Sequence, residues 1–253
     1  MDNVTSIPKK DSVADRFNRE AGAWEKSYSK ARYNIISLEL VQRFHWLQAF
    51  VEKRKENDEL ELLDVGCGTG NVLSNLLDGH PSWNGTGIDL SSGMIEICQE
   101  RGLGNAHFFH CDLAKTNDPF EGKTFDVIYL MGVVGYIEDL PAFWAILDKA
   151  LKPGGVLVFT HGRKDSWSRK LQNTILGWLG KEYFFDLYTP KEIRETLPEN
   201  LNETKRDSLC YASGFLGPLS IAFSHFWQKV FRGKDPLSLA LTDIVAAEKK
   251  PEK

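Results

Sequence analysis

Residues 62–71 read LLDVGCGTGN: an apolar run, then Gly66, Gly68 and Gly70 set around Cys67. The apolar half suits a short strand buried on both faces. The glycine half suits a turn where another molecule comes close to the main chain, with amides at the head of the next helix turned toward it. The spacing narrows the ligand. The dinucleotide pattern G-x-G-x-x-G requires glycine at position 71, where this chain has Asn71, and G-x-x-x-x-G-K-[ST] is absent. A nucleoside ligand without a pyrophosphate fits better than a phosphate clamp.

Working outward, strand-like and helix-like runs alternate. Val72, Leu73, Leu76 and Leu77 follow at helical spacing, then the strand-like NGTGIDL, a helical stretch over 92–100, and the strand-like NAHFFHCD. TFDVIYLM is a further strand, and Leu140, Phe143, Trp144, Leu147 and Leu151 mark a helix that KPGG (152–155) is expected to stop before the strand VLVFT. This alternation predicts an α/β fold with a parallel sheet. Ahead of the loop, Ile36, Leu40, Phe44, Leu47 and Val51 predict a helix, and EKRKENDE (52–59) a solvated linker. Past Thr160 the pattern gives a helix over 166–179, a Thr-Pro helix start in YTPKEIRETL, late strands near 203–210 and 241–248, and between them an apolar, aromatic insertion over 211–240.

Composition bounds the function. Among 253 residues, 42% are hydrophobic and 26% charged, enough for one sizeable core, and the net charge of −4 gives no broad field for a nucleic-acid partner. Cys67, Cys98, Cys111 and Cys210 are scattered, so neither a disulfide framework nor a metal site is expected. The opening residues lack the apolar core of a signal peptide, which predicts a cytoplasmic protein. Residues 208–228 carry no Asp, Glu, Lys or Arg, but the serines, Pro218 and His225 within them argue against a span, which needs about 20 predominantly apolar residues.

Asp89 ends the second strand-like run, about 20 residues past the loop, where a carboxylate can accept the hydroxyls of a ribose. Met94 follows one helical turn later, able to cover an adenine face. Asp112 follows the third strand, where it could accept from an adenine amino group. Taken singly, the glycines could form a mere tight turn, Asp89 a helix cap, Asp112 a turn residue and Met94 core. Together they reach the same sheet edge in order.

ELLDVGCGTG, GIDLSSGMI, HCDL, FDVIYLMGVVGYIEDL and LKPGGVLVF, over about 61–160, resemble the ordered motifs of the class I S-adenosylmethionine-dependent methyltransferases. The resemblance implies a Rossmann-like seven-stranded sheet with the last strand antiparallel, and S-adenosylmethionine as cofactor. It implies that Gly66, Cys67, Gly68 and Gly70 line the methionine part, that Asp89 takes the ribose hydroxyls, and that Leu90, Met94, Asp112 and Leu113 enclose adenine. Met131 would lie near the sulfonium with Tyr136 close by, and Asp64 would support the loop. Residues 1–58 are expected to form a helical cap, 59–253 the methyltransferase domain, and 161–238 the segments that cover the acceptor site.

The opening VADRFNREAGAWEKSYSKARY is similar to that of quinone, porphyrin and secondary-metabolite methyltransferases, which implies that Tyr28, Arg32 and Tyr33 close over the methionine end. Neither an NPPY-like segment nor a Pro-Cys motif follows the fourth strand, and VVGY stands where some quinone-type relatives have histidine. A small hydrophobic acceptor remains, methylated on oxygen, with nitrogen and carbon acceptors open. His161 is the first candidate base, and Tyr136 could orient the acceptor. The aromatic residues of 167–231, among them Trp178, Tyr183, Phe184, Phe185 and Phe215, are expected to shape the acceptor pocket. Leu219, Phe223, Phe226, Trp227 and Val230 could instead form a membrane-facing helix side, with Lys229, Arg232 and Lys234 nearby. A nicotinamide-dependent dehydrogenase and a nucleoside-binding protein without turnover are the rival readings. The oligomeric state is not readable from the sequence.

Overall fold

The computed structural model describes residues 10–29, 35–54, 59–116, 119–178, 185–211 and 218–251. Two helices, α1 (Lys10–Ser29) and α2 (Ile35–Glu52), precede an alternating series: β1 (Glu61–Val65), α3 (Asn71–Leu77), β2 (Asn84–Asp89), α4 (Ser92–Glu100), β3 (Ala106–His110), β4 (Phe125–Leu130), α5 (Leu140–Ala150) and β5 (Leu151–Gly162). Then come α6 (Trp167–Trp178), α7 (Pro190–Thr196), β6 (Leu201–Leu209), α8 (Pro218–Phe231) and β7 (Thr242–Lys249). The strands form one seven-stranded sheet in the order β3-β2-β1-β4-β5-β7-β6. β7 runs antiparallel to both of its neighbours, and the β1 to β5 pairings are parallel.

Strand alternation divides the core in two. Leu62, Val127, Val156, Val158, Ile244 and Ala246 face Leu47 and Val51 of α2 and Leu73 and Leu76 of α3. Their chain neighbours Leu63, Ile128, Leu157, Phe159, Val245 and Ala247 face Phe143, Trp144 and Leu147 of α5 and Ile193 of α7. Both sheet faces are thus covered, which is why the strands read as unbroken apolar runs.

The expected helix stop at KPGG is placed differently. α5 ends at Ala150, and Leu151 already pairs with Phe125 before the ladder jumps to Val127 opposite Val156. Lys152–Gly155 therefore bulges from a strand that has begun, turning at Gly154 with φ 74°. The Thr-Pro start of α7 holds as a capping box, with Thr189 and Glu192 bonded reciprocally. Among the described residues no helix is long and apolar enough to cross a membrane.

Candidate active site

The glycine turn sits where β1 runs out. The amides of Gly66 and Cys67 both donate to the carbonyl of Ile88, at 2.8 and 3.0 Å, which folds the chain back over the end of β2. Gly66 and Gly68 have left-handed backbone, φ 75° and 54°. At Gly66 the space is taken as well, since a β-carbon would stand 2.4 Å from Val133 Cγ2. Gly70 caps α3 with no side-chain bond.

Two carboxylates face this turn. Asp89 accepts from the Gly68 amide on one oxygen and from the Ser91 amide on the other, both at 2.8 Å, so it ties the loop to the end of β2. Burial pushes its pKa up, against the pull of those two amides. Asp64, at 2% exposure, has an Oδ2 with no hydrogen-bond partner among the described residues. Burial drives its pKa well above the carboxylate range, and the neighbouring Asp89 charge adds to the shift. Two desolvated acids that repel one another form a berth that gains from a bound cation. Cys67 is no nucleophile here: its contact with the Cys98 thiol, then burial, raises its pKa and keeps it protonated.

Helix α1 packs on α4 and brings further residues that the sequence reading did not single out. Asn18 Oδ1 accepts from the Ser91 hydroxyl at 2.6 Å and the Gly93 amide at 3.1 Å, locking α1 onto the start of α4. Trp24 stands over the loop, its Nε1 being 3.5 Å from where a Gly68 β-carbon would be. Phe17 meets both Trp24 and Tyr136 edge-on, each at 5.7 Å between ring centroids. The one sign of this in the sequence was the resemblance of its opening to that of related methyltransferases, since partners 73 or so positions away leave no local pattern. The Tyr28 side chain, Arg32 and Tyr33 lie outside the described residues.

The remaining expected residues divide. Met94 is buried on the first turn of α4, its amide bonded to the Ser91 hydroxyl. The Leu90 carbonyl lies 3.0 Å from His110 Nε2. Asp112 accepts from the Ala114 amide at 3.1 Å and lies 3.3 Å from Lys115 Nζ, capping a short 3-10 turn over Leu113–Lys115. The Leu113 side chain packs in the core with Val65 and Ile88, so any part it takes in a pocket is through its main chain. Met131 packs partly against the α2-side core, one residue before Gly132.

The ends of β4, β5 and β7 on the α2 side carry a polar group that no motif announced. The Gly132 amide donates to Thr160 Oγ1 at 2.8 Å, and Arg43 Nη1 lies 2.7 Å from where a Gly132 β-carbon would be. Arg43 pairs with Glu39, which also accepts from the Thr242 hydroxyl. Burial opposes ionisation of Glu39, but Arg43 and Thr242 outweigh it and hold its pKa below the usual value. Arg43 Nε is buried and makes no hydrogen bond among the described residues. Tyr136 adjoins this group, ringed by Phe17 and Phe185, and burial raises its pKa, so the phenol stays protonated.

His161 has another environment than its sequence position led us to expect. Alternation along β5 sends Thr160 to the α2 face and His161 to the opposite one. Its side chain has no exposed surface. Nε2 faces Arg206 Nη1 at 3.0 Å and Nδ1 faces the Gly162 carbonyl at 3.3 Å. Arg206 also donates to Asp243 at 3.0 Å, and Ser208 donates to the other Asp243 oxygen at 2.7 Å. Burial lowers the His161 pKa to about 4 despite Asp243. A neutral imidazole whose Nε2 accepts from an arginine has no lone pair to spare for a substrate proton, which counts against the expectation of His161 as a base. Of the expected aromatic lining, Phe185 reaches Tyr136, whereas Trp167, Trp178, Phe223 and Phe226 face solvent. Tyr183, Phe184 and Phe215 lie outside the described residues.

Comparison with known proteins bears on this edge. The family described as "Methyltransferase domain" matches residues 63–157. Phosphoethanolamine N-methyltransferase 1 of Arabidopsis thaliana is 35% identical over 115 residues, which are 44% of this chain but 23% of that protein, so the chain spans only a minor part of that relative. Malonyl-[acyl-carrier protein] O-methyltransferase of Halalkalibacterium halodurans is 27% identical over 186 residues, 68% of this chain and 69% of that protein. In fold, the chain is similar to magnesium protoporphyrin IX methyltransferase from Synechocystis PCC 6803, solved with bound SAH. The TM-score is 0.70 at 17% identity, covering 96% of this chain and 100% of that one. The matched segment carries the glycine turn, Asp89, strands β2 to β4 and parts of β1 and β5. Residues 63–157 thus match a methyltransferase domain, and the sheet that holds them, with β7 antiparallel, is similar in fold to a methyltransferase solved with bound SAH.

Proposed function

We propose that the chain transfers the methyl group of S-adenosylmethionine to an oxygen of a small hydrophobic metabolite, and that this oxygen is already ionised when it binds. The observation that carries the reading is the buried Asp64 and Asp89 pair beside the glycine turn. The cofactor supplies a methyl group activated by a sulfonium. Its positive sulfur and ammonium match the two desolvated carboxylates, Asp89 being the acceptor for the ribose hydroxyls and Asp64 the charge facing the ammonium. Trp24, Asn18 and Phe17 of α1 cover that berth and exclude water from it.

In-line placement of a nucleophile supplies most of the acceleration such a transfer needs. With His161 held by Arg206, the described residues at this edge offer no ready general base, and an acceptor that arrives as an anion needs none. Arg43, beside Gly132 at the end of β4, supports that choice, since its buried Nε has no hydrogen-bond partner among the described residues and an acidic oxygen would satisfy it. The Tyr136 phenol is a donor that can orient the same group. A nitrogen acceptor is the second reading, favoured by the plant relative whose printed activity is N-methylation.

Calorimetry with S-adenosylhomocysteine and with NAD tests the first half, and radiolabelled methyl transfer to a panel of hydrophobic carboxylic acids, phenols and amines tests the second. Binding of NAD alone would favour a dehydrogenase. Binding of S-adenosylhomocysteine with no methyl accepted by any compound would favour a binding protein. Labelling confined to amines would replace the oxygen reading with the nitrogen one.

A further inference from the structure

Helix α8 buries Ile221 but turns a second apolar stripe to solvent. Ser220 and Ser224 are fully buried, and Ser224 Oγ accepts from the Tyr211 amide at 3.1 Å. Leu219, Phe223, Phe226 and Val230, spaced i, i+4, i+7 and i+11, point the other way, with Leu219 at 72% and Phe226 at 58% exposure. A surface helix of a soluble domain normally has the reverse arrangement. Helix α6 repeats it. Trp167, Leu171 and Trp178 lie on one side at 65%, 54% and 83% exposure, while Arg169 is buried with Nη2 on the Leu241 carbonyl at 3.1 Å.

The segments beside the two helices are joined. The Trp167 amide donates to the Ser238 carbonyl at 2.7 Å, beside the exposed Leu237, and Arg163 ahead of α6 holds Asp235 beyond α8 at 2.8 Å. α6 leaves the carboxyl end of β5, and α8 lies between the carboxyl end of β6 and the start of β7. Both therefore border the sheet edge that carries the glycine turn.

Charge identifies what covers this rim. Neither helix contains Asp or Glu, while Lys170 and Lys229 lie within them and Arg232 and Lys234 follow, all four exposed. The acids at the flanks, Asp165 and Asp235, both pair with the single cation Arg163, and the Asp235 side chain is buried away from the rim. Lys170 Nζ stands 4.9 Å over the Trp167 ring, an ammonium at the margin of an apolar stripe. Exposed aliphatic and aromatic side chains bordered by cations, with tryptophans at the edge, match the boundary between headgroups and acyl chains of an anionic bilayer. We propose that the α6 and α8 rim is a membrane-docking surface that seats the chain on anionic lipid with the glycine-turn edge toward the bilayer. If the acceptor is the hydrophobic metabolite proposed above, it then reaches the site from the lipid without crossing water.

The test uses the full chain, with extruded phosphatidylcholine vesicles containing about 30% phosphatidylglycerol, and pure phosphatidylcholine vesicles beside them. Co-sedimentation should be at least about tenfold stronger on the anionic vesicles, should weaken with added salt, and should come with a blue shift of tryptophan emission. Phe226→Asp with Val230→Asp should lower binding about tenfold or more while circular dichroism and S-adenosylhomocysteine affinity stay unchanged. Lys229→Glu with Lys234→Glu should abolish the preference for anionic lipid. No sedimentation with either vesicle, or undiminished binding by the double aspartate variant, would overturn the proposal. So would a concentration-dependent dimer in sedimentation equilibrium that the same variant dissolves, because a second copy would then be the occupant. None of these outcomes depends on methyl transfer, so its failure would be told apart from that of the catalytic reading.

Discussion

Trp24 and Gly68 face each other across the mouth of the glycine turn, with the indole Nε1 3.5 Å from where a Gly68 β-carbon would stand. The pair links a helix near the start of the chain to the loop that defines the fold. On the reading proposed above, a bound nucleoside shares that space. Titration with S-adenosylhomocysteine should therefore change tryptophan emission, and Trp24→Ala should both remove that change and weaken affinity about tenfold, the scale of one lost aromatic contact. Gly68→Ala should weaken it further, because φ 54° costs an L-residue roughly 1–2 kcal/mol before any ligand contact is lost. Unaltered affinity in Trp24→Ala would remove α1 from the site.

Asp64 sets function against stability. Its folded pKa is raised by burial, so it counts against folding once the pH exceeds the unfolded value near 3.9, and the cost grows as pH rises toward the folded pKa. Asp64→Asn should therefore raise the melting temperature of the ligand-free protein at neutral pH, by about 2–4 °C for each kcal/mol recovered. The same change should weaken S-adenosylmethionine binding about tenfold or more. Calorimetric melting and titration check the two halves, and a lower melting temperature would contradict the burial argument.

His161 yields a pH signature. Its folded pKa, about 4, lies below the unfolded 6.5, so the unfolded chain binds more protons between these values. Stability that is present above pH 6.5 should be lost as pH falls toward 4, with a slope approaching roughly 1.4 kcal/mol per pH unit for one proton. Denaturant unfolding of His161→Asn should give a shallower acid limb than the wild-type protein. At pH 7–9 its kcat should change by less than about threefold, where loss of a general base costs roughly a hundredfold or more.

Arg43 separates the acceptor from the cofactor. Arg43→Met alone would leave Glu39 buried without its cation, a change that destabilises by about 3–5 kcal/mol in comparable buried pairs. The double variant Glu39→Gln, Arg43→Met avoids that cost. With a carboxylate acceptor its KM should rise about tenfold or more, the worth of a charged hydrogen bond, while S-adenosylhomocysteine affinity stays within about twofold. An unchanged KM would detach Arg43 from the acceptor.

Residues 62–71 and the strand that follows determined the centre of this protein: an apolar run buried on both faces, a turn whose glycines adopt left-handed backbone, and a carboxylate one strand later at Asp89. These features are local or repeat at strand and helix spacing, so they are written in residue order. β6 and β7 were legible as strands, but their exchange of places beside β5 came from pairing, as did the early start of β5 at Leu151.

Only the tertiary structure decided the surroundings. Asn18 reaches Ser91, Trp24 reaches Gly68, and Glu39 and Arg43 reach Thr242 and Gly132 across gaps that no periodicity records. The single-residue step from Thr160 to His161 sent one side chain to the α2 face and the other into a buried polar network, because a strand alternates its faces and only packing fixes which face is which. The outward turn of α6 and α8 has the same cause: helical spacing gives a stripe, and contacts with the rest of the fold set the direction it points.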